Sequence, residues 1–209
     1  MDMYTRLNSK RFLLLYLVVI ACLLSVWVFK LVGKPSETRS IPDTLSPFLT
    51  TPPAPLPQFL LYSDAKSVFT DQSLIGKWTF VYFTHPDCMP SCDPVFMVLK
   101  NLKHLFAGQS VEFALMNFDV NHTDISNLAT VSELPVYRGD GRMMAELEAA
   151  FGFYALRTDY QNDYSLEQTH AIFLIDPQGR YYARFEPPFT SYGIQAVFLA
   201  IRSFYARTE

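Results

Sequence analysis

The sequence predicts an α/β domain, and two patterns lead to this prediction. The first is a strand, helix, strand unit that begins with an unbroken run of aromatic and β-branched residues at positions 78–84. The second is a pair of apolar runs joined by a tight turn near the C-terminus and followed by one more helix. With 209 residues, half of them hydrophobic, the chain can form one domain of ordinary size and additional segments.

The first half of the domain holds a predicted hairpin and the strand, helix, strand unit. Residues 58–62 and 67–69 flank a polar turn, so they predict a short N-terminal β-hairpin. Residues 78–84, WTFVYFT, are typical of a central strand that is buried on both faces. Residues 93–106 place apolar side chains at helical spacing before a glycine, and residues 111–118 form the next apolar strand.

Two further helices and a loop are predicted in the middle of the domain. Residues 128–131 and 143–151 have helical patterns, and the second ends near Gly152. Residues 154–168 are polar and rich in tyrosine, which indicates a solvated loop.

The C-terminal part predicts an antiparallel pair of strands and a last helix. Residues 171–175 and 180–185 are separated by Asp176-Pro177-Gln178-Gly179, a turn with proline and glycine at favourable positions. Residues 193–205 form an amphipathic pattern that predicts the final helix. A strand, helix, strand unit followed by an antiparallel pair and a helix is a thioredoxin-like layout, so we predict a thioredoxin-like fold with an N-terminal β-hairpin.

One transmembrane helix is predicted before this domain. Residues 12–29, FLLLYLVVIACLLSVWVF, carry no charge, and with the apolar residues after Lys30 they predict an anchor over residues 12–32. A secretory signal is shorter and ends at a small-residue cleavage site, which is absent after Phe29. Three positive charges within residues 1–11 predict a cytoplasmic N-terminus and an exported domain. In a bacterium this places the anchor in the inner membrane and the domain in the periplasm.

Cys22 allows a second interpretation of this segment. Residues 19–22, VIAC, fit a loose lipoprotein pattern in which Cys22 would be lipidated. The apolar run continues directly after the cysteine, so we favour a small apolar residue within a membrane helix. Both alternatives place the domain outside the cytoplasm.

A tether is predicted between the anchor and the domain. Residues 33–57 hold seven of the fourteen prolines, which predicts an extended spacer without packed structure and a domain spanning residues 58–209. Beyond residue 32 the chain carries 13 basic and 19 acidic side chains without a basic cluster. We therefore expect no nucleic-acid partner, because phosphate binding needs clustered Lys or Arg.

Two of the three cysteines, Cys88 and Cys92, stand between the predicted central strand and its helix. A thioredoxin-like fold places its chemistry there, because the unpaired N–H groups and positive dipole end of the helix favour thiolates. Two thiolates are soft ligands that suit Cu(I), and imidazole suits copper in either oxidation state. Zinc is disfavoured, since a structural zinc site needs four ligands and only three are evident.

His170 is the predicted third ligand. It directly precedes the strand at 171–175, and in a thioredoxin-like fold the residue that enters this strand faces the cysteine loop. The candidate site is therefore a copper site formed by Cys88, Cys92 and His170. His85 lies close to the cysteines and could either support the ligands or face solvent in the loop, and we favour the loop. His104 and His122 are expected at the surface.

Three stretches of the domain match a known pattern. They are GKWTFVYF at 76–83, the C-x3-C pair, and HAIFLIDPQGRYYARF at 170–185. With them the domain resembles the Sco/SenC family, copper-binding thioredoxin-like proteins of cytochrome c oxidase assembly. The resemblance implies that Cys88, Cys92 and His170 bind copper and that cytochrome c oxidase is the client.

The chain departs from the family pattern around the site. Thr84-His85 stands two residues earlier than the Thr-His of the family. Asp93 follows the second cysteine where a proline is common, and Gln168-Thr169 stand where the family often has an Asp. These departures indicate a divergent member.

The candidate residues are compatible with two functions. The first is a membrane-anchored copper chaperone, which passes copper by ligand exchange to an extracytoplasmic metalloprotein and needs no turnover chemistry. The alternative is a thiol–disulfide oxidoreductase, in which Cys88 attacks and Cys92 resolves, acting on the cysteines of a copper-site client. A purely structural disulfide is disfavoured, since closing so small a loop stabilises little.

Overall fold

A mixed eight-stranded β-sheet forms the centre of the protein in a computed structural model that describes residues 13–25, 40–122, 124–161 and 164–209. The strands are β1 (Leu49–Pro55), β2 (Leu60–Tyr62), β3 (Val68–Thr70), β4 (Trp78–Thr84), β5 (Val111–Asn117), β6 (Val136–Arg138), β7 (Ala155–Asp159), β8 (Tyr164–Gln168), β9 (Ile172–Ile175) and β10 (Arg180–Phe185). The strand order in the sheet is β1-β10-β9-β4-β5-β6-β2-β3, and a separate two-stranded ribbon pairs β7 with β8. The helices are α1 (residues 13–25), α2 (Asp93–Leu105), α3 (Ser126–Ser132), α4 (Gly141–Phe151) and α5 (Ser191–Thr208).

The predicted strand, helix, strand unit is present as β4, α2 and β5. All seven residues of β4 are buried, and β4 pairs in parallel with β5 and antiparallel with β9. The predicted hairpins are also confirmed, since β2 pairs antiparallel with β3 and β10 pairs antiparallel with β9. The four predicted helices of the domain form close to their expected positions.

Alternate side chains of β4 enter two different layers, as the twofold period of a strand requires. On one face the ring of Phe80 lies 5.1 Å from the ring of Phe198 on α5, and Tyr82 lies 6.1 Å from Phe96 on α2. On the other face Phe83 packs 5.5 Å from Phe151 of α4. Tyr82 and Thr84 therefore reach the layer of α2, where the cysteine loop begins.

The prediction of an unpacked tether is wrong for part of residues 33–57. β1 pairs antiparallel with β10 at the edge of the main sheet, and Leu45 just before it is buried. Pro52 and Pro53 fall in the stretch where the register of β1 shifts, which is where an edge strand tolerates residues without an N–H donor. Pro42–Glu209 consequently forms one unit, and the domain begins earlier than the predicted residue 58.

The prediction of a loop at residues 154–168 is also wrong. Residues 155–159 and 164–168 form the ribbon β7–β8, in which Ala155 pairs with Gln168 and Asp159 with Tyr164. Every residue of β7 is solvent-exposed, so the strand has no apolar face and shows no alternation of hydrophobic and polar residues.

The predicted membrane anchor falls only partly on described residues. α1 covers residues 13–25, while the rest of the predicted anchor and the predicted cytoplasmic residues 1–11 lie outside the described part of the chain. Among the described residues, none of the helices combines the length and apolar character needed to cross a membrane.

Candidate metal centre

Cys88 and Cys92 lie in the turn that connects β4 to α2, as the sequence predicts. Cys88 ends a 3₁₀ turn over Pro86–Cys88, and Cys92 directly precedes the first residue of α2. The Cys92 N–H donates to the Cys88 carbonyl at 3.1 Å, and the two residues form a disulfide with Cα atoms 5.6 Å apart. Both are buried, so the tight turn brings the two sulfur atoms together beneath the surface.

Hydroxyl groups from β4 surround the sulfur atoms. Thr84 Oγ1 lies 3.2 Å from Cys88 Sγ and 3.9 Å from Cys92 Sγ. The Tyr82 hydroxyl lies 3.3 Å from Cys92 Sγ. A hydroxyl is a neutral donor to an anionic sulfur, and the N-terminal end of α2 adds its positive dipole. The surroundings therefore favour thiolates when the disulfide is reduced.

His170 lies beside the cysteine pair, between the end of β8 and the start of β9. Its Nδ1 is 2.7 Å from the same Tyr82 hydroxyl that contacts Cys92, so one hydroxyl joins the two candidate ligands. The side chain is half-buried, and burial lowers the pKa of His170, which keeps a lone pair available on the neutral ring. The role of His170 as a ligand remains a prediction that this proximity supports.

The described residues do not present an assembled three-ligand site. Within the described ranges, no three His, Cys, Asp or Glu side chains come together in an arrangement that could hold a metal ion. Cys88 and Cys92 are bonded to each other, and Tyr82 lies between Cys92 and His170. Reduction would release two thiolate donors next to one imidazole, and this soft donor set fits copper.

A second polar cluster lies close by and was not foreseen from the sequence. The Asp119 carboxylate accepts hydrogen bonds from His122 Nδ1 and from the Tyr164 hydroxyl, both at 2.6 Å. Burial alone would raise the pKa of Asp119, but the hydrogen bonds from Tyr164 and His122 outweigh it and lower that pKa. We call Asp119, His122 and Tyr164 the acidic cluster, and it joins the β7–β8 ribbon to the segment after β5.

His85 is buried, so the expectation of a solvent-facing loop residue is wrong. Its side chain continues the alternation of β4 away from the cysteines, and its ring packs 5.4 Å from Phe118. Burial lowers the pKa of His85, against the charges of Asp87 and Asp119, which raise it. Among the described residues, its buried Nδ1 has no hydrogen-bond partner.

The sequence alone does not identify Tyr82 or Gln168 as functional candidates. Tyr82 lies within the apolar run of β4, which predicts a core position, and Gln168 stands out only because it differs from a family pattern. The sequence does indicate that the Tyr82 hydroxyl lies on the same face of the central strand as Thr84, because the two residues are two positions apart.

The sequence and the fold of this chain both resemble known proteins. The SCO1/SenC family model matches residues 50–198. Arabidopsis thaliana ScoI with copper bound superposes with a TM-score of 0.61 at 19% sequence identity, covering 72% of this chain and 99% of that chain. For Bradyrhizobium japonicum ScoI with copper bound, the TM-score is 0.56 at 22% identity, with 69% of this chain and 98% of that chain covered.

A third structure, BsSco, has a TM-score of 0.54 at 13% identity and covers 70% of this chain and 91% of that chain. It is described as a member of the Sco family of cytochrome c oxidase assembly proteins with a disulfide switch. A search of curated proteins found no match to this sequence. The structural likenesses confirm the predicted thioredoxin-like α/β fold.

Proposed function

The chain belongs to the SCO1/SenC family, and from this premise we propose that it is a copper chaperone. Copper is its cargo, and the proposed ligands are Cys88, Cys92 and His170. The observation that supports the proposal most directly is the Tyr82 hydroxyl, which contacts both Cys92 Sγ and His170 Nδ1 and so keeps the three donors in one small region.

Loading requires reduced cysteines. A dithiol reductant supplies two electrons and two protons, which open the Cys88–Cys92 disulfide to two thiols while the reductant becomes a disulfide. Copper then replaces the thiol protons, because the thiolate is the form that binds metal. Three ligands leave room for a client's ligand, so transfer by ligand exchange needs no turnover chemistry.

The half-buried His170 is the natural point of cargo entry and exit. Both cysteines lie beneath the surface, whereas the His170 ring reaches the solvent boundary. An approaching client ligand can therefore displace the imidazole before it displaces the thiolates. This order predicts that His170 controls the rate of release more than the cysteines do.

We propose that the chaperone is anchored by residues 12–32 in a bacterial inner membrane, with its domain in the periplasm. The uncharged run at 12–29 supports the anchor, and the described part of this run is helical with exposed leucine and valine side chains. Because β1 belongs to the sheet, the spacer shrinks to about residues 33–41. The proposed client is cytochrome c oxidase, and the similarity to BsSco, a member of the Sco family of cytochrome c oxidase assembly proteins, supports this proposal.

A thiol–disulfide oxidoreductase is the second candidate, and the disulfide itself favours it. Cys88 is 5% exposed and Cys92 is fully buried, so Cys88 would attack a client disulfide and Cys92 would resolve the mixed disulfide. The two candidates differ in their need for His170, since thiol exchange does not use the imidazole as a ligand.

Anaerobic Cu(I) titration of the reduced full-length protein in detergent tests the proposal. A Cys22→Ser background removes the third cysteine, which is exposed. We expect one copper per chain and a loss of affinity of roughly 100-fold or more in His170→Ala, since even an outer-shell residue is worth about 10–100-fold. His104→Ala, at an exposed histidine of α2, serves as the matched control and should bind like the parent.

Equal Cu(I) affinity in the parent and His170→Ala would contradict the three-ligand site. Disulfide reductase activity without copper that survives His170→Ala unchanged would favour the oxidoreductase instead. For the anchor, incorporation of labelled palmitate at Cys22 in cells would show a lipidated protein and would replace the uncleaved helix.

A further inference from the structure

The Tyr82 hydroxyl is the meeting point of the candidate site. It contacts Cys92 Sγ at 3.3 Å, His170 Nδ1 at 2.7 Å and Gln168 Nε2 at 3.0 Å. The residue is completely buried, and its ring packs edge-on against Phe96 of α2. The hydroxyl therefore has one position, set by the central strand and by the helix that begins at the cysteines.

Gln168 fixes the direction of these hydrogen bonds. Its Nε2 donates to the Phe83 carbonyl at 2.7 Å, and a carbonyl can only accept, so the amide orientation is determined. The second amide hydrogen then goes to the Tyr82 oxygen. Tyr82 is left with its own single proton, which it can donate either to His170 Nδ1 or to Cys92 Sγ.

The state of Cys92 decides between the two directions. In the disulfide, the sulfur is a weak acceptor, and Tyr82 donates to the lone pair on His170 Nδ1. When Cys92 is the anionic sulfur that binds metal, a charge-assisted hydrogen bond from Tyr82 to Cys92 is stronger. The Tyr82 oxygen must then accept from His170, which requires the imidazole proton on Nδ1 and leaves the lone pair on Nε2.

We propose that Tyr82, oriented by Gln168, is the positioning residue that stabilises the reduced Cys92 sulfur and selects the His170 tautomer with an open Nε2. This inference rests on the proposed copper chaperone and adds the group that connects its thiolate and imidazole ligands. In this arrangement Tyr82 donates one hydrogen bond and accepts two, so the buried hydroxyl is fully satisfied. The disulfide arrangement instead presents the Nε2 with its proton attached.

Tyr82→Phe tests the proposal, because it removes the hydroxyl and keeps the ring packed against Phe96. The matched control is Tyr182→Phe, another buried tyrosine, whose ring packs against Trp78 at the start of β4, the opposite end of the strand from Thr84 and the cysteine loop. A second variant, Gln168→Met, keeps Tyr82 and removes the donor that orients it. All are made in full-length Cys22→Ser protein, and thermal unfolding verifies that each is folded.

Two measurements distinguish a positioning role of the Tyr82 hydroxyl from a role of its ring in packing alone. Competition titration should show the Cu(I) dissociation constant rising about 10–100-fold in Tyr82→Phe, by less in Gln168→Met, and staying unchanged in Tyr182→Phe. Equilibration with dithiothreitol, whose two thiols form a ring disulfide as Cys88 and Cys92 become thiols, reports the reduced state without copper. The equilibrium constant for reduction should fall about tenfold in Tyr82→Phe, which corresponds to a potential about 30 mV more negative.

The outcomes distinguish this inference from the proposed function. If the parent binds copper tightly and Tyr82→Phe matches Tyr182→Phe in both measurements, the role of Tyr82 is refuted and the chaperone stands. If the parent binds no copper, the chaperone is refuted, and the dithiothreitol equilibrium still decides whether Tyr82 stabilises the reduced sulfur. An unchanged equilibrium in Tyr82→Phe would then overturn the inference as well.

Discussion

Two polar groups of residues flank the end of β4. They differ in their chemistry and in how many of their hydrogen-bond acceptors are already in use. The cysteine site combines two sulfur atoms, one imidazole and neutral hydroxyls from Tyr82 and Thr84. The acidic cluster combines a carboxylate, an imidazole and a phenol, and Asp119 also accepts from the N–H of Asn121. Soft donors with neutral neighbours suit Cu(I), whereas the carboxylate is already committed to hydrogen bonds within the protein.

Because of this difference, we expect the acidic cluster to stabilise the fold and the cysteine site to bind copper. The acidic cluster joins three parts of the chain, because Tyr164 belongs to β8 and His122 also approaches Asp87 in the cysteine loop at 3.8 Å. Its members support the positions of the ribbon and the loop. The sulfur atoms of the cysteine site are contacted by the neutral hydroxyls of Tyr82 and Thr84, so they remain available as ligands once they are reduced. Substitutions should therefore affect cargo binding on one side and folding stability on the other.

The largest expected effect is the loss of cargo binding in Cys92→Ser. A hydroxyl replaces a soft thiolate, so the Cu(I) affinity should fall by roughly 100-fold or more, beyond the effect of an outer-shell change. Tyr164→Phe removes a hydroxyl from the acidic cluster and should leave the affinity within about twofold. Both are measured by competition titration. A comparable loss in Tyr164→Phe would mean that the two groups form one functional unit.

Asp119→Ala should have the next largest effect, on stability. Asp119 is 4% exposed, and its removal leaves the Tyr164 hydroxyl and the His122 ring without their shared acceptor. We expect the free energy of unfolding to fall by about 2–3 kcal/mol in urea titrations near neutral pH. The control is Asp159→Ala, which removes the exposed ion pair with Arg157 and should change the stability much less, because solvent screens exposed pairs.

The stabilisation from Asp119 should also depend on pH with a definite sign. Its folded-state pKa is lowered below the usual value, so the unfolded state takes up the proton first as the pH falls. The contribution is complete above about pH 5 and decreases as the pH drops through about 4 toward the folded pKa. The difference in stability between the parent and Asp119→Ala should shrink over this interval. A difference that stays constant down to pH 3 would contradict the lowered pKa.

Local patterns made much of the fold and the cysteine position predictable. Each of the patterns that predict these elements lies within about 15 consecutive residues. They are the apolar run of β4, the helical spacing of α2 and the turn between β9 and β10. Cys88 and Cys92 fall at the start of α2 for the same reason, because the strand and the helix on either side of them are strong local signals.

Features that depend on distant partners could not be predicted in this way. β1 is rich in proline, which suggests a spacer, and its strand character comes from pairing with β10 about 130 residues later. Tyr82 is an ordinary strand residue by sequence, yet its hydroxyl partners Gln168 and His170 are 86 and 88 positions away. In both cases the local sequence predicts the wrong role, because the role is set by contacts with residues that are distant in the sequence.

Substitution of His85 should change the stability least. Its side chain points away from the cysteine site, so the substitution should not affect that site. Its ring is buried against Phe118, and within the described residues its Nδ1 has no hydrogen-bond partner. His85→Phe keeps an aromatic ring there and removes the unsatisfied nitrogen, which costs about 1–3 kcal/mol when buried. Overpacking by the larger ring offsets part of this gain, so we expect a stability change of less than about 1 kcal/mol at pH 7.5.

The same variant should reduce the pH dependence of stability on the acidic side of neutrality. Burial lowers the folded pKa of His85, although Asp87 and Asp119 oppose this shift, while His122 and His170 add to it. The unfolded state therefore binds the proton first, and the parent should lose stability as the pH falls from about 6.5 toward the lowered pKa. Urea titrations between pH 7.5 and pH 5 should show His85→Phe losing less stability than the parent, with Cu(I) affinity at pH 7.5 unchanged. An equal slope in both proteins would show that folding does not lower the pKa of His85. A loss of Cu(I) affinity would place His85 within the cysteine site.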